Sequence, residues 1–270
     1  MAAAPVAVGL ALAVSGGHVL NAMTAALTLA AAVLIQMGTN LHNDAADFLR
    51  GGDGADRLGP PRVCAQGWLP PHKVRRAAIG CFAVAALSGV GLVAQGGWPI
   101  LAVGVASLLA GWGYSAGRHS ISHLPLGELF VLAFFGVAAV AGSAWLQGVP
   151  PDGAVLRAGG GLGAFAAAVL LLNNHRDAVA DARSGRRTLA IFLGERGCHV
   201  VYAALLLVPF ALLPSLPRQS GLAFVILPEA VWLAWRFSRE PRGRGLNRLL
   251  GLTALLQAAF AFFLCLGLVL

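Results

Sequence analysis

Asn40, Asp44 and Asp47 are spaced four and three residues apart, and Asn173, Asp177 and Asp181 four and four. Residues three and four apart on a helix share a face, so each trio predicts an amide and two carboxylates on one stripe. Near the first trio lie Asn43, Asp53, Asp56, Arg57 and Arg62, interleaved with Gly51, Gly52, Gly54 and Gly59; near the second lie Arg176, Arg183, Arg186 and Arg187. Six of the chain's eleven acids fall in these two segments, 40–62 and 173–188. Carboxylates gathered in this way repel one another unless a cation stands between them. Magnesium suits the position, because it takes one or two carboxylates and completes its shell with water and phosphate oxygens. The two stripes therefore predict a pair of magnesium sites flanking a diphosphate. Arg57, Arg62, Lys73, Arg183, Arg186 and Arg187 would offset the remaining phosphate charge, and the glycines let the loop approach a ligand. Any one of these acids alone would read as a helix-end residue in water; the repeated spacing is what argues for chemistry.

The elements that must carry these residues are membrane helices. Hydrophobic residues make up 58% of the 270, charged residues 11%, and the mean hydropathy is +0.76, which excludes a soluble domain. The apolar runs are long and lack period-two alternation, so helices are expected in place of a barrel. With about 20 residues per crossing as the ruler, nine spans are expected, at 2–17, 19–41, 74–95, 98–114, 126–146, 156–172, 198–213, 222–237 and 249–270. Seventeen of the nineteen Lys and Arg residues then share one side, Arg157 and Arg218 being the exceptions. By the positive-inside rule that side is the cytoplasm. The N-terminus is expected inside, the C-terminus outside, and both acidic segments on the cytoplasmic face.

The same frame accounts for what remains. A net charge of +8 is what basic loops facing anionic headgroups produce, and it calls for no nucleic acid. The apolar start lacks a basic leader and reads as a span, not a signal peptide. Cys64, Cys81, Cys198 and Cys265 have no metal-ligand spacing. The whole chain, 1–270, reads as one membrane domain. His119 and His123 have helical spacing but no third ligand. Glu128 and Glu229 are lone acids near span ends, Glu128 being the one that could serve a substrate pocket. Tyr114, Ser115 and Arg118 end the fourth span on the cytoplasmic side, where they could reach the same cavity. Trp68, Trp98, Trp112 and Trp145 fit an interfacial belt. A transporter with carboxylate-coupled transport is the reading from a different class, but its acids normally lie at the membrane midplane.

At the two acidic segments the chain resembles the UbiA-type superfamily of intramembrane prenyltransferases, and within it the 1,4-dihydroxy-2-naphthoate polyprenyltransferases of menaquinone synthesis. Asn43-Asp44-Ala45-Ala46-Asp47, with Gly51, Asp53, Asp56-Arg57 and Gly59-Pro60-x-Arg62 after it, resembles the first aspartate motif. Asn173-Asn174-x-Arg176-Asp177, continuing through Asp181, Gly185-Arg186 and Thr188-Leu189, resembles the second. Tyr114-x-x-Gly117, Phe134-Phe135-Gly136, Gly142-Ser143 and Leu146-Gln147 are similar to further family segments. The resemblance implies nine transmembrane helices around a cavity open sideways to lipid, with two magnesium ions and a polyprenyl diphosphate under a cytoplasmic cap. It implies Asp44, Asp47 and Asp53 for one magnesium and Asp177 and Asp181 for the other. Asn40, Asn43 and Asn173 would support that shell, Arg62, Lys73 and Arg186 would bind diphosphate oxygens, and Asp56 and Arg57 would be loop scaffolding. The implied reaction prenylates 1,4-dihydroxy-2-naphthoate with decarboxylation and gives demethylmenaquinone. Two departures stand out: Ala45 where members often carry an aromatic residue, and no Arg-Pro-x-Thr-like segment before the first span. The Tyr-Pro-x-x-Lys-Arg pattern of 4-hydroxybenzoate enzymes is absent at Tyr114–Arg118, which favours the naphthoate acceptor over the benzoate alternative.

Overall fold

The computed structural model describes residues 1–51, 57–117, 120–216 and 219–270, and among them there is no strand. The helices are α1 (Ala3–Ser15), α2 (Ala22–Leu49), α3 (Pro71–Gly96), α4 (Trp98–Gly113), α5 (Gly127–Leu132), α6 (Ala139–Trp145), α7 (Gly153–Arg183), α8 (Leu189–Leu212), α9 (Leu227–Arg239) and α10 (Leu246–Val269). A π-helical segment, Ala133–Ala138, joins α5 to α6 in one run from Gly127 to Trp145. Seven of the described segments are long and apolar enough to cross a membrane, while α1 and α4, with 13 and 16 residues, are apolar but shorter. Along α3, Ile79, Val84, Leu87 and Val90 are each half or more exposed. In water such a face would be an association hazard; against lipid it is the expected surface.

The centre of the bundle is α7. It is buried at positions from Val155 through Asp181 and is packed by α1, by α5 with the π-helical segment, and by α6, α8 and α10. Small residues make this crowding feasible: a Cβ at Gly136 would lie 2.4 Å from both the Gly159 carbonyl oxygen and the Gly163 Cα, and one at Gly163 would lie 2.4 Å from the Leu132 carbonyl oxygen. Backbone therefore meets backbone, the close approach that small-xxx-small patterns permit in membranes. The π turn falls at this contact, re-aiming the chain where it presses on α7.

Two helices run on past the C-terminal ends of their expected spans by eight residues or more, and they carry the two acidic stripes. α2 continues from the expected end at 41 to Leu49, and α7 from 172 to Arg183. Both begin with a capped first turn, Asn21 accepting from the Thr24 amide at 3.0 Å and Asp152 from the Val155 amide at 2.9 Å. Falling hydropathy marks where apolar burial stops, and nothing at that point breaks the helix. α8 likewise starts at Leu189, earlier than the expected 198, with a non-helical break at Gly194 (φ 66°).

Candidate active site

The ends of α2 and α7 meet across a polar chamber of about 620 Å3. Asn40, Asn43 and Asp47 reach it from α2, and Asn173, Asn174, Asp177 and Asp181 from α7. The α7 stripe is the expected one; the α2 stripe is not. Asp44, expected beside Asp47, is not among the residues lining the chamber. Its Oδ2 and Oδ1 accept from the backbone amides of Val63 and Cys64 at 2.9 and 3.2 Å, so it fastens the loop that comes after α2. Residues 40, 43 and 47 share a face at spacings of three and four, leaving 44 on the neighbouring one where the returning loop lies.

Among the described residues, Asp47 is the most heavily bonded acid. It accepts from Arg50 at 3.0 Å, from Arg62 at 2.8 Å and from Arg186 at 2.5 Å, and its side chain is 4% exposed. Arg62 also donates to Asn43 Oδ1 at 2.7 Å, and Asn43 Nδ2 donates to Ser115 Oγ at 2.9 Å. Arg186 also lies 3.3 Å from Asp181 Oδ1, so one guanidinium spans the two acidic segments. Asp177 takes a bidentate pair from Arg176, at 2.8 and 2.5 Å.

Sequence reasoning places Arg176 only within a motif string, yet it proves central. It is 1% exposed and also donates to Asn173 Oδ1 at 2.8 Å and Asn247 Oδ1 at 2.6 Å. Asn247 in turn donates to the Leu58 carbonyl at 2.9 Å, tying α10 to the loop after α2. An arginine inside an apolar helix is costly unless fully partnered, and that signal points to Arg176; nothing in the sequence singles out Asn247. Asn174, on the chamber wall, also carries no signal beyond its place in the motif.

Other expected site residues fall elsewhere. Lys73 is exposed and does not line the chamber. Asp53, Asp56, Arg118 and His119 lie outside the described residues. His123 hydrogen-bonds Ser120 Oγ through Nδ1 at 2.7 Å, and burial, then the nearby Arg186, holds its imidazole below the ordinary range. The four cysteines are free thiols.

A second, apolar chamber of about 420 Å3 lies beside the first, walled by α2, α3, α4 and the Gly127–Trp145 run. Thr39, Tyr114, Val131 and Phe135 line both. The polar chamber is lined by three carboxylates (Asp47, Asp177, Asp181) and six guanidiniums (Arg57, Arg62, Arg176, Arg183, Arg186, Arg242). Such a wall suits a strongly anionic group, and its neighbour suits a long apolar one. The arrangement is built for an amphiphile with an anionic head.

The donor chemistry also fits a hard cation. The side-chain ligands available on the wall include carboxylate, amide and hydroxyl oxygens, while among the described residues no three acids, histidines or cysteines converge to hold a metal alone. Magnesium requires no such cage, since it draws the rest of its shell from water and a bound phosphate.

The model of the UbiA prenyltransferase family matches residues 2–253. The chain belongs to this family. It is 36% identical over 184 residues to a protein of Mycobacterium tuberculosis named 1,4-dihydroxy-2-naphthoate octaprenyltransferase, a match covering 68% of this chain and 63% of that one. A protein of the same name from Escherichia coli is 35% identical over 213 residues, 77% of this chain and 69% of that one. The chain thus spans somewhat under two thirds of the first relative's length and slightly more of the second's. Among solved structures, a UbiA homologue from Aeropyrum pernix without ligand superposes with a TM-score of 0.72 at 15% identity, over 97% of both chains. A UbiA homologue from Archaeoglobus fulgidus, solved bound to DMAPP and Mg2+, gives 0.59 at 15% identity, over 97% of this chain and 96% of that one. These likenesses establish the UbiA fold.

Proposed function

We propose that this UbiA-family protein transfers a polyprenyl group from an allylic polyprenyl diphosphate to 1,4-dihydroxy-2-naphthoate in menaquinone biosynthesis. The prenyl C–O bond breaks with its electron pair leaving on diphosphate. A C–C bond forms at the ring carbon bearing the carboxylate, and carbon dioxide departs. The product is the hydroquinone form of demethylmenaquinone. One observation carries this reading: a chamber of three carboxylates and six guanidiniums opens, at Thr39, Tyr114, Val131 and Phe135, onto an apolar one. The names of the relatives support the naphthoate acceptor.

In this reading the diphosphate lies between the ends of α2 and α7 and the tail lies in the apolar chamber. Asp47 and Asp53 would hold one magnesium ion, and Asp177 and Asp181 a second. Magnesium bound there supplies neutralisation of the departing diphosphate. Arg62 and Arg186, now paired with the acids, turn to phosphate oxygens when the head group enters, and Asn40, Asn43 and Asn173 orient it. The helical wall keeps water from the carbon that loses its diphosphate. Asp44, assigned a metal by resemblance, instead holds the loop bearing Arg62. The membrane frame goes with this: nine crossings, α1 and α4 included, in the cell membrane, with the N-terminus and the chamber cytoplasmic and the C-terminus outside.

Membranes containing the protein, given a polyprenyl diphosphate, magnesium and either 1,4-dihydroxy-2-naphthoate or 4-hydroxybenzoate, test it by product mass. Prenylated, decarboxylated naphthoate that disappears on chelation is expected. Product only from hydroxybenzoate would reassign the acceptor; solute movement without diphosphate release would instead identify a transporter.

A further inference from the structure

One corner of the polar chamber is not accounted for by the diphosphate. Asn174 lines the chamber one residue off the Asn173, Asp177, Asp181 stripe, and its Nδ2 donates to Glu128 Oε1 at 2.8 Å. Glu128 belongs to the first turn of α5 and is 5% exposed. Its second oxygen, Oε2, is buried without a hydrogen-bond partner. A carboxyl group bonded through only one oxygen in an apolar helix costs the fold more than it returns. Its presence is therefore better explained by what it does to Asn174.

That effect comes from donor and acceptor chemistry. The face of the amide turned to Glu128 is its NH2, which donates to Oε1, and the Oδ1 carbonyl is directed away from it. The Asn174 carbonyl is thereby fixed as a hydrogen-bond acceptor on the chamber wall. Tyr114, at the end of α4, lines both chambers, and its hydroxyl has no hydrogen bond among the described residues. Tyr114 lies close to the turn that carries Glu128: a Cβ at Gly127, the residue before it, would sit 3.8 Å from the Tyr114 hydroxyl oxygen. An acceptor oxygen on the polar wall and, where the two chambers join, a phenol that can donate or accept are thus both offered to a bound ring.

We infer that this corner binds a ring hydroxyl of the aromatic acceptor, which donates to Asn174 Oδ1 and is met by the Tyr114 hydroxyl, with Glu128 as the positioning residue that fixes the amide. The inference rests on the aromatic prenyl transfer proposed above. Glu128→Gln tests the orientation directly, since glutamine can offer either an oxygen or an NH2 and so frees Asn174 to turn its own NH2 to the chamber. Asn174→Leu removes the acceptor, and Tyr114→Phe removes the phenol while keeping the ring.

The experiment uses the full-length protein in detergent, each variant checked for an unchanged unfolding temperature. It compares 1,4-dihydroxy-2-naphthoate with its 1-methoxy analogue in both turnover and direct binding titration. Wild type is expected to favour the hydroxyl compound by about tenfold or more. Glu128→Gln and Asn174→Leu should raise KM and Kd for the dihydroxynaphthoate about tenfold, erase the preference and leave KM for polyprenyl diphosphate within about twofold. A variant that keeps the preference, or that raises KM for the diphosphate alone, overturns the inference. So does a wild type that binds no naphthoate. If Glu128→Gln is unstable, Asn174→Leu with Tyr114→Phe decides by the same readout. Titration keeps the two proposals apart: a wild type that binds the hydroxyl compound selectively but never prenylates it sinks the proposed reaction and leaves this corner standing.

Discussion

The two acidic helix ends look alike in sequence and are used differently. On α7 the expected stripe faces the chamber intact, with Asp177 held by its neighbour Arg176 and Asp181 beside Arg186. On α2 the stripe is shifted: Asn43 takes the place expected of Asp44, and Asp47 alone collects three guanidiniums, from Arg50, Arg62 and Arg186. The cause lies in the chain just beyond each helix. α7 ends at a turn containing Gly185 (φ 79°) and leads straight into α8, and its acids stay turned to the chamber. α2 runs into a loop that returns across it and claims Asp44 for two backbone amides. An acid's spacing says which neighbours share its face; the returning chain decides which face is the site.

Substitutions can break this contrast. The largest effect is expected from Asp47→Ala, which removes a wall carboxylate and releases three guanidiniums at once; prenyl transfer in membranes should fall by about 100-fold or more. Asp181→Asn should be milder, since Asp177 remains on the same helix: a rise of about tenfold in the magnesium concentration for half-maximal activity, with maximal rate largely recovered. Asp44→Asn keeps one acceptor oxygen for the loop, so a stability loss of about 1–2 kcal/mol is expected in detergent unfolding, with magnesium activation unchanged. An altered magnesium requirement in that variant would return Asp44 to the metal site. The smallest effect belongs to Lys73→Ala, an exposed residue off the wall, for which activity and stability within about 0.5 kcal/mol of wild type are expected.

Much of this is legible in the chain itself. The apolar runs predict a helical membrane bundle, and the acids predict the end at which its polar chamber lies. The extents of α2 and α7 are not legible, because hydropathy reports where lipid stops and says nothing of a helix that continues on arginine–carboxylate pairs. The π-helical segment is hidden for a related reason: Ala133–Ala138 has an unremarkable apolar composition, and its departure from α geometry arises where Gly136 meets Gly159 and Gly163. Of the residues that line the polar chamber, Asp47, Asp177, Asp181 and Arg186 are ones that type and position in the acidic segments already single out. The hold of Asp44 on the loop is not foreseen from spacing because its partners lie 19 and 20 residues on, and Asn247 gives no sign because its partner Leu58 is 189 residues away. Glu128 reads only as a lone acid, since its meaning depends on the orientation of an amide on another helix.

The link from Leu58 through Asn247 to Arg176 also bears on how the molecule is made. Synthesis proceeds from the N-terminus, so α2 and the loop beyond it are in place long before residue 247 has left the ribosome. Until α10 arrives, the loop carrying Arg62 lacks that anchor and Arg176 lacks one of its acceptors. A chain stopped after α9 would therefore hold Asp47, Asp177 and Asp181 without the Asn247 link that joins Arg176 to the loop.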